Sequence, residues 1–496
     1  MAAFFIGLAA QNFDDTIFDT EDLSTIRGGS IAAIQFVQDL DLSESSSVSV
    51  GGSKGIWRYD GNDPGAKLAE LRTKSNGHPV AKHLNFVVGY VLCSNDYLAD
   101  KAALSAKLSR AQLSGATRPY PVESSKQVCP VDLLSPVGTT AIWYGGQKDL
   151  LVSESVAARR VYGLKTKQRF IKQLASGNGN HEIFNTVGLN ADRPLAMLLS
   201  SISEGAEPSA ALKTNLHDKI AVIHLDGNGA GAAQKAAITM AAGCDGQMEA
   251  QKAFDKGLQS LRQKLAETVL DVLKKQGGVG TVGQDEVGLR SSLKNATAKK
   301  VIRFEALLWA GDEITFIVPA RLGWRVTQAL LAALEGQKLL TAAIGLVYCH
   351  HDAPIARIRA LADRLCTNVK SVDRKRNLVF PLVLESFDHI GRGLDDYLAK
   401  RAPEKQPDFF VLDAKQMAEL KQQANSWANP ESEKSRRQIR NAAVKAHRNF
   451  DAPCREGECS EKTPCTSCKH NHRRNMLIED YWDYLLPCDF EAEASQ

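Results

Sequence analysis

Two stretches of the chain decide its fold: IAVIHLDGNG at residues 220–229 and VIRFEALLWAGDEITFIV at residues 301–318. The first is a short apolar run that ends in Asp226-Gly227-Asn228-Gly229, where glycines permit a sharp exit from a strand. The second contains two apolar runs separated by Ala310-Gly311-Asp312-Glu313. This pattern predicts a β-hairpin with acidic residues at its tip.

The flanking segments supply the remaining elements of the same folded unit. Apolar residues at spacings of three and four predict a long helix over 254–272, ended by Gly277-Gly278. The pattern then predicts a helix, a strand, a helix and a strand at 326–334, 342–348, 354–369 and 378–384. The order β-α-β-β-α-β is that of a ferredoxin-like fold.

The first 160 residues predict α/β or α+β structure with weaker signals. Residues 4–8 predict a strand, the apolar run 31–40 a helix, and 83–93 a core strand. The Ser/Gly-rich stretch 42–54 has no periodicity and is predicted as a loop. A helical pattern at 152–174 falls in a less regular connector.

Composition excludes several classes of protein. A length of 496 residues predicts about three domains, and 44% hydrophobic with 24% charged residues is typical of a globular chain. The formal net charge of +4 is too small to indicate nucleic-acid binding by itself. The longest apolar runs are far shorter than the roughly 20 residues that span a bilayer, and no signal peptide is evident. We therefore expect a cytoplasmic protein with no membrane partner.

The acidic residues of the two opening stretches predict a metal site. Strand ends that carry Asp226 and Asp312-Glu313 belong to adjacent central strands of the predicted sheet, so their carboxylates should converge. Mg²⁺ prefers carboxylate oxygens, waters and phosphates, and the surrounding glycines would admit a triphosphate. Either motif alone is ordinary turn chemistry. Together, at matching strand ends, they favour a nucleotide site with Mg²⁺ or Mn²⁺.

The same stretches, together with residues 341–351 and the helix that ends near Lys370, resemble the catalytic palm of the polymerase-like large subunit of type III CRISPR effector complexes. That palm is related to GGDEF nucleotidyl cyclases. The N-terminal residues Asp19-Thr20 and Arg27-Gly28-Gly29-Ser30 resemble the first helix of the family's second, non-catalytic palm. Val152 to Val156, Arg159-Arg160 and Gly163 fit the family's connector.

The resemblance implies an α+β fold with two ferredoxin-like palm domains, a helical connector and a C-terminal helical and zinc module. We predict boundaries of 1–125, 126–215, 216–390 and 391–496 for these four parts. It also implies condensation of ATP, or other NTPs, into a cyclic oligonucleotide that signals in antiviral defence. The implied site has Asp226, Asp312 and Glu313 as catalytic residues, with Asp226 and Asp312 as Mg²⁺ ligands. The implied nucleotide-binding residues are Gly227, Asn228, Gly229, Gly311, Ser30 and Lys370. Ser30 has a second interpretation, as the cap of the first helix.

Two departures separate the chain from the family pattern. Asn228 stands where the family's second acid is usual, which puts one metal ligand in doubt. We expect no HD nuclease domain of the family type, because the predicted first palm begins at about residue 3, and His217-Asp218 and His351-Asp352 are interpreted as turn or surface residues. Partners are therefore left open between RNA or other subunits of a CRISPR effector and a stand-alone or homo-oligomeric state.

The cysteines near the C-terminus predict a structural zinc site. Their spacing is Cys454-x4-Cys459-x5-Cys465-x2-Cys468, in a polar segment with too few apolar residues to fold alone. Clustered thiols in a cytosolic chain indicate metal binding rather than disulfides.

Two other functions are kept beside the cyclic oligonucleotide synthase. Asn228 favours a catalytically weak scaffold or RNA-binding subunit that binds ATP without turnover. Gly311-Asp312-Glu313 suggests a diguanylate-cyclase-like enzyme, although two unlike palms in one chain argue against it. The mass of the product separates the two enzymes.

Overall fold

The computed structural model describes residues 2–11, 13–114, 127–144, 147–176, 181–187, 195–203, 216, 218–282, 299–384, 393–401 and 408–427, with 473, 476–478, 480–481 and 484–485 near the C-terminus. The four clustered cysteines lie outside these residues, so the zinc site stays a prediction. The chain has the predicted α+β class. No helix among the described residues is long and apolar enough to cross a membrane.

The N-terminal unit is a four-stranded antiparallel sheet with helices between its strands. Its elements are β1 (Ala3–Ala10), α1 (Phe13–Ile17), α2 (Leu23–Gln38), β2 (Ser45–Gly51), β3 (Lys54–Asp60), α3 (Pro64–Gly77), a short 3₁₀ turn at Ala81–His83, β4 (Phe86–Leu92) and α4 (Tyr97–Ser114). The strand order is β2-β3-β1-β4. Every residue of β1 from Phe5 onward is buried, as its apolar sequence predicts.

Two expectations for this unit are wrong. The Ser/Gly-rich stretch is not all loop, because 45–51 forms β2 and pairs with β3 along its length. A run of serines has no alternation of apolar and polar residues to predict a strand. The strand forms because its backbone pairs with β3. Ser30 is not a helix cap: it lies in the middle of α2, and the cap is Asp22, whose carboxylate accepts from the backbone N–H of Thr25 at 2.9 Å.

The connecting region contains one hairpin and one long helix. Its elements are β5 (Thr140–Tyr144), β6 (Gln147–Val152), α5 (Glu154–Ser176), α6 (Ile183–Thr186) and α7 (Leu199–Ile202). Helix α5 packs along α2, where Gly28 and Gly163 allow close approach of the two backbones: a Cβ at residue 28 would stand 1.7 Å from the Arg159 carbonyl oxygen. Arg159 also donates to both carboxylate oxygens of Asp19, at 2.9 and 2.8 Å. The N-terminal and connector motifs that carried the family resemblance thus form one helix–helix contact.

The second unit is a five-stranded sheet. Its elements are β7 (Lys219–Asn228), α8 (Ala230–Thr239), α9 (Gly243–Lys275), β8 (Val279–Val282), β9 (Lys299–Ile302), β10 (Glu305–Ala310), β11 (Glu313–Pro319), α10 (Ala320–Leu334), β12 (Thr341–His350), α11 (Ile355–Val372) and β13 (Leu378–Val383). The strand order is β10-β11-β7-β12-β13, and only β12 and β13 run parallel. The predicted hairpin is present, but its first arm begins at Glu305, because residues 299–302 pair with β8 instead.

The C-terminal residues pack on this second unit. After α12 (Leu394–Arg401) and α13 (Ala414–Trp427), Tyr484 lies on Tyr348 with ring centroids 4.0 Å apart. The Tyr481 hydroxyl donates to the Pro381 carbonyl oxygen at 2.6 Å. Arg473, five residues after the last clustered cysteine, donates to the carbonyl oxygen of Phe409 at 2.7 Å. Tyr481 and Tyr484, which follow the predicted zinc site, therefore contact strands of the sheet.

Candidate active site

The sheet brings Asp226 and the hairpin tip together at one strand end. Asp226 on β7 is directly opposite Glu313 on β11, and the backbone N–H of Gly227 donates to the carbonyl oxygen of Asp312 at 3.0 Å. Gly311 has a φ of 58°, in the left-handed region that a side chain would strain. The glycines of the two predicted motifs therefore set the turn that places Asp312 beside β7.

Asp312 occupies the space that a side chain at position 227 would fill. A Cβ built on Gly227 would lie 2.8 Å from the Asp312 Cβ and 3.2 Å from its Oδ2. Burial, and then the nearby charge of Asp226, raise the pKa of the Asp312 carboxyl above its ordinary value. A carboxylate pair of this kind is stabilised in its charged form by a cation.

Two cations flank the pair. Lys370, near the end of α11, forms an ion pair with Asp226. Arg262 on α9 donates to the carbonyl oxygen of Gly311 at 3.3 Å, and burial lowers the pKa of its guanidinium. Sequence reasoning identified Lys370 but missed Arg262, which borders the apolar face of α9.

Glu313 is paired with a residue of α11, the helix that covers the sheet. Its Oε1 accepts from Arg359 Nη2 at 2.7 Å, and the same nitrogen donates to Asp14 at 3.1 Å. Burial raises the pKa of Glu313 above its ordinary value, although His224 and Arg359 oppose that effect. Glu313 was predicted as a ligand or base, and its carboxylate is engaged in this ion pair.

One face of α11 carries a row of polar residues against β7 and β11. Arg359, Asp363, Cys366 and Lys370 recur at helical spacing. Asp363 lies 3.5 Å from Nε2 of the buried His224, and Cys366 Sγ donates to the His224 carbonyl oxygen at 3.1 Å. In a sequence, a row of charged residues on a helix normally indicates a face exposed to solvent. Only the distance along the chain from Arg359 and Lys370 to the two strand motifs could have suggested that this face contacts β7 and β11.

Asn228 and Gly229 form the exit from β7. The Asn228 amide donates to Thr341 Oγ1 at 3.1 Å, and the side chain is largely buried. Gly229 has a φ of 67° and caps α8 without a side-chain hydrogen bond. The N-terminus of α8 thus follows Asp226 directly in the chain, and its backbone N–H groups suit an anion. Asn228, which stands where the family pattern has a second acid, thus links β7 to β12 by a hydrogen bond.

Ser30 is not among the contacts of this strand end. It is 1% exposed within α2, and α2 reaches the second unit at β10. The structure therefore brings together Asp226, Asp312, Gly227, Gly229, Gly311 and Lys370. It pairs Glu313 with Arg359, and it buries Ser30 within α2.

Comparison with known proteins gives a likeness of fold. Neither the protein-family models nor the curated proteins contain a match to this sequence. Among solved structures, the Csm1–Csm4 cassette in complex with pppApA matches with a TM-score of 0.54 at 13% identity, over 98% of this chain and 69% of that chain. The cassette in complex with AMPPNP matches with a TM-score of 0.53 at the same identity and coverage.

The fold is that of Csm1. The Csm1–Csm4 cassette in complex with cA3 matches as well, with a TM-score of 0.51 at 13% identity. The resemblance to the large subunit of type III CRISPR complexes is confirmed at the level of the fold. In this chain, the five-stranded sheet places Asp226 and Asp312 at one strand end.

Proposed function

We propose that this protein is a nucleotidyltransferase that condenses ATP into a cyclic oligoadenylate. The single observation that carries the proposal is the meeting of Asp226 and Asp312 at one strand end, beside the open N-terminus of α8. The Csm1 structures of the same fold contain AMPPNP, pppApA and cA3, which supports a nucleotide reaction of this type. In this proposal, the two sheet units are ferredoxin-like palms, and the second is catalytic.

The residues at the strand end fit a divalent cation. Asp226 and Asp312 are two carboxylates whose mutual repulsion contributes to the raised pKa of Asp312. The absence of a side chain at Gly227 leaves room for the Asp312 carboxylate. Held by these two residues, Mg²⁺ or Mn²⁺ would activate the attacking 3′-oxygen and neutralise charge on the pyrophosphate that leaves.

The chain's own groups would bind and orient the triphosphate. Backbone N–H groups at the start of α8, exposed by Gly229, would donate to phosphate oxygens. Lys370 and Arg262 flank the carboxylates and would stabilise the added negative charge. Burial raises the pKa of Glu313, which suits a carboxylate that accepts a proton once Arg359 shifts.

The remaining predicted parts complete the proposal. The N-terminal unit would contribute to a second nucleotide site near Ser30, and a zinc ion on Cys454, Cys459, Cys465 and Cys468 would stabilise the C-terminal module. A second subunit, as in the Csm1–Csm4 cassettes, is the partner that the fold favours. Light scattering of the purified chain, alone and with such a subunit, separates this partnership from a stand-alone state.

Mass spectrometry of reaction products tests the proposed activity. The full chain is incubated with all four NTPs and Mg²⁺ or Mn²⁺, alongside the variants Asp226→Ala and Asp312→Ala. Asp15→Ala, an exposed acid on α1, is the matched control. We expect a cyclic adenylate from the wild type and the control, and none from the other two variants.

The same experiment separates the alternatives. A cyclic diguanylate product would favour the diguanylate-cyclase-like enzyme. ATP binding with no product from the wild type or any variant would favour the scaffold. The observation that supports the scaffold is that Asp226 is paired with Lys370 and Glu313 with Arg359. Product from Asp312→Ala would remove the assigned site.

A further inference from the structure

The β10–β11 hairpin, which carries Asp312, is held at its root by residues from the N-terminal half of the chain. Glu305, the first residue of β10, is fully buried, and its Oε2 accepts from Arg27 Nη1 at 2.6 Å. The same oxygen accepts from Lys167 Nζ at 2.8 Å. Arg27 belongs to α2 and Lys167 to α5. A buried carboxylate requires such partners, so Glu305 fixes the start of the hairpin to those two helices.

The position of β10 depends on this contact because β10 is an edge strand. Among the residues that the structure describes, it pairs with β11 on one side only, and α2 packs against it. An edge strand has fewer hydrogen bonds to fix its place than a central strand has. Arg27 is itself held by α5, since its Nε donates to the Gly163 carbonyl oxygen at 3.0 Å.

The tip of the hairpin has a second link to the N-terminal half. Arg359 joins Glu313, next to Asp312, to Asp14 on α1. Asp226, by contrast, is paired with Lys370 of its own unit. Asp312 is also tied to β7 by the hydrogen bond from the Gly227 N–H to its carbonyl oxygen, so a shift of the N-terminal helices would move Asp312 relative to Asp226 by straining that bond.

We infer that Arg27, Lys167 and Glu305 are positioning residues for Asp312, through which the N-terminal half controls the separation of the two active-site carboxylates. The inference adds a means of regulation to the proposed function and rests on that function for its kinetic consequence. The positioning of the hairpin by these residues can be measured without nucleotide. The inference and the proposed function can therefore fail separately.

Hydrogen–deuterium exchange of the full chain tests the positioning of the hairpin. Peptides covering β10–β11 report on the hairpin, and peptides covering β12 serve as the internal reference. Arg27→Met removes one of two cations from Glu305 and leaves the Lys167 pair in place, so the variant should fold. We expect exchange in the hairpin to rise about tenfold or more with β12 unchanged, because breaking a buried pair frees the strand locally. Arg27→Lys, which keeps the charge, should restore part of the protection.

The tip provides a test with little risk to folding. Asp14 is half-exposed at its ion pair, so Asp14→Asn removes that link alone, and Asp15→Asn is the matched control. Asp14→Asn should raise exchange at the hairpin tip about threefold or more, a change typical of losing one partly exposed ion pair. In product assays, Arg27→Met should lower kcat and leave the KM for ATP unchanged.

Three results would overturn the inference. The first is exchange in the hairpin of Arg27→Met equal to that of the wild type. The second is a rise in β12 as large as that in the hairpin, which would make the ion pairs general structural support. The third is equal exchange in Arg27→Lys and Arg27→Met. An enzyme without product in every variant would remove only the kinetic consequence.

Discussion

Gly28→Ala should open the contact between α2 and α5. A Cβ at residue 28 would stand 1.7 Å from the Arg159 carbonyl oxygen, and one at Gly163 would stand 2.1 Å from the Ser24 carbonyl oxygen. Because the atoms contacted are backbone, no rotation of a side chain relieves the overlap. Ordinary contact begins at 3.4 Å, so the helices must separate by roughly 1.7 Å at residue 28.

The cost follows from that separation. Overpacking costs about 1–3 kcal/mol, and the 3.0 Å bond from Arg27 to the Gly163 carbonyl oxygen would be lost at a further cost of about 1.5–3 kcal/mol. Alanine gains about 1 kcal/mol over glycine within a helix. We therefore expect a net loss of about 1.5–5 kcal/mol in the free energy of unfolding.

Urea unfolding of the full chain, followed by circular dichroism, measures this loss. Gly246→Ala in α9 is the matched control, because its Cβ would meet only the Ala241 Cβ at 3.8 Å. The control should unfold at or slightly above the wild-type midpoint. An unfolding midpoint of Gly28→Ala equal to that of the control would refute the close contact between the helices.

Three further predictions concern the charges and the metal. Burial and the charge of Asp226 raise the pKa of Asp312 in the folded state above its ordinary value. The protonated carboxyl therefore contributes stability that is fully present in acid, and this stability is lost as the pH rises through the folded pKa. Asp312→Asn should thus raise the free energy of unfolding at pH 7 by about 1 kcal/mol and give no gain near pH 3; equal urea midpoints at pH 7 would contradict this. Lys370→Met should raise the KM for ATP about tenfold, whereas the exposed Lys375→Met should not; equal KM values in steady-state kinetics would exclude the phosphate contact. The double variant Cys465→Ser/Cys468→Ser should lose the bound zinc, about one ion per chain, measured by plasma mass spectrometry; retained zinc would show that other ligands hold it.

Much of the second unit could be predicted from sequence because its strands are apolar along their whole length. The run 220–225 and the hairpin arms are buried in the structure as their composition requires. Boundaries were less accurate: α10 begins at Ala320 rather than 326, directly after Pro319 at its cap. Strand β2 was missed, because its serines gain their order from pairing with β3 and carry no local signal.

The candidate site was predictable where chemistry and spacing coincide within one motif. Asp226, Asp312 and the glycines around them meet as their strand ends imply. The partners of Glu313 and Glu305 could not be predicted, since Arg359 and Arg27 come from distant segments that only the packed fold brings together. Long-range ion pairs have no period in the sequence. The nucleotide-binding role of Ser30 and the zinc-binding role of the clustered cysteines stay predictions.

Anomalous diffraction from crystals grown with Mn²⁺ and a non-hydrolysable ATP analogue tests the central claim most directly. We predict a Mn²⁺ peak between the carboxylates of Asp226 and Asp312, with the triphosphate at the N-terminus of α8 and Lys370 moved from Asp226 to a phosphate. An analogue bound away from this strand end, or Mn²⁺ held by other residues while Asp226 stays on Lys370, would contradict it.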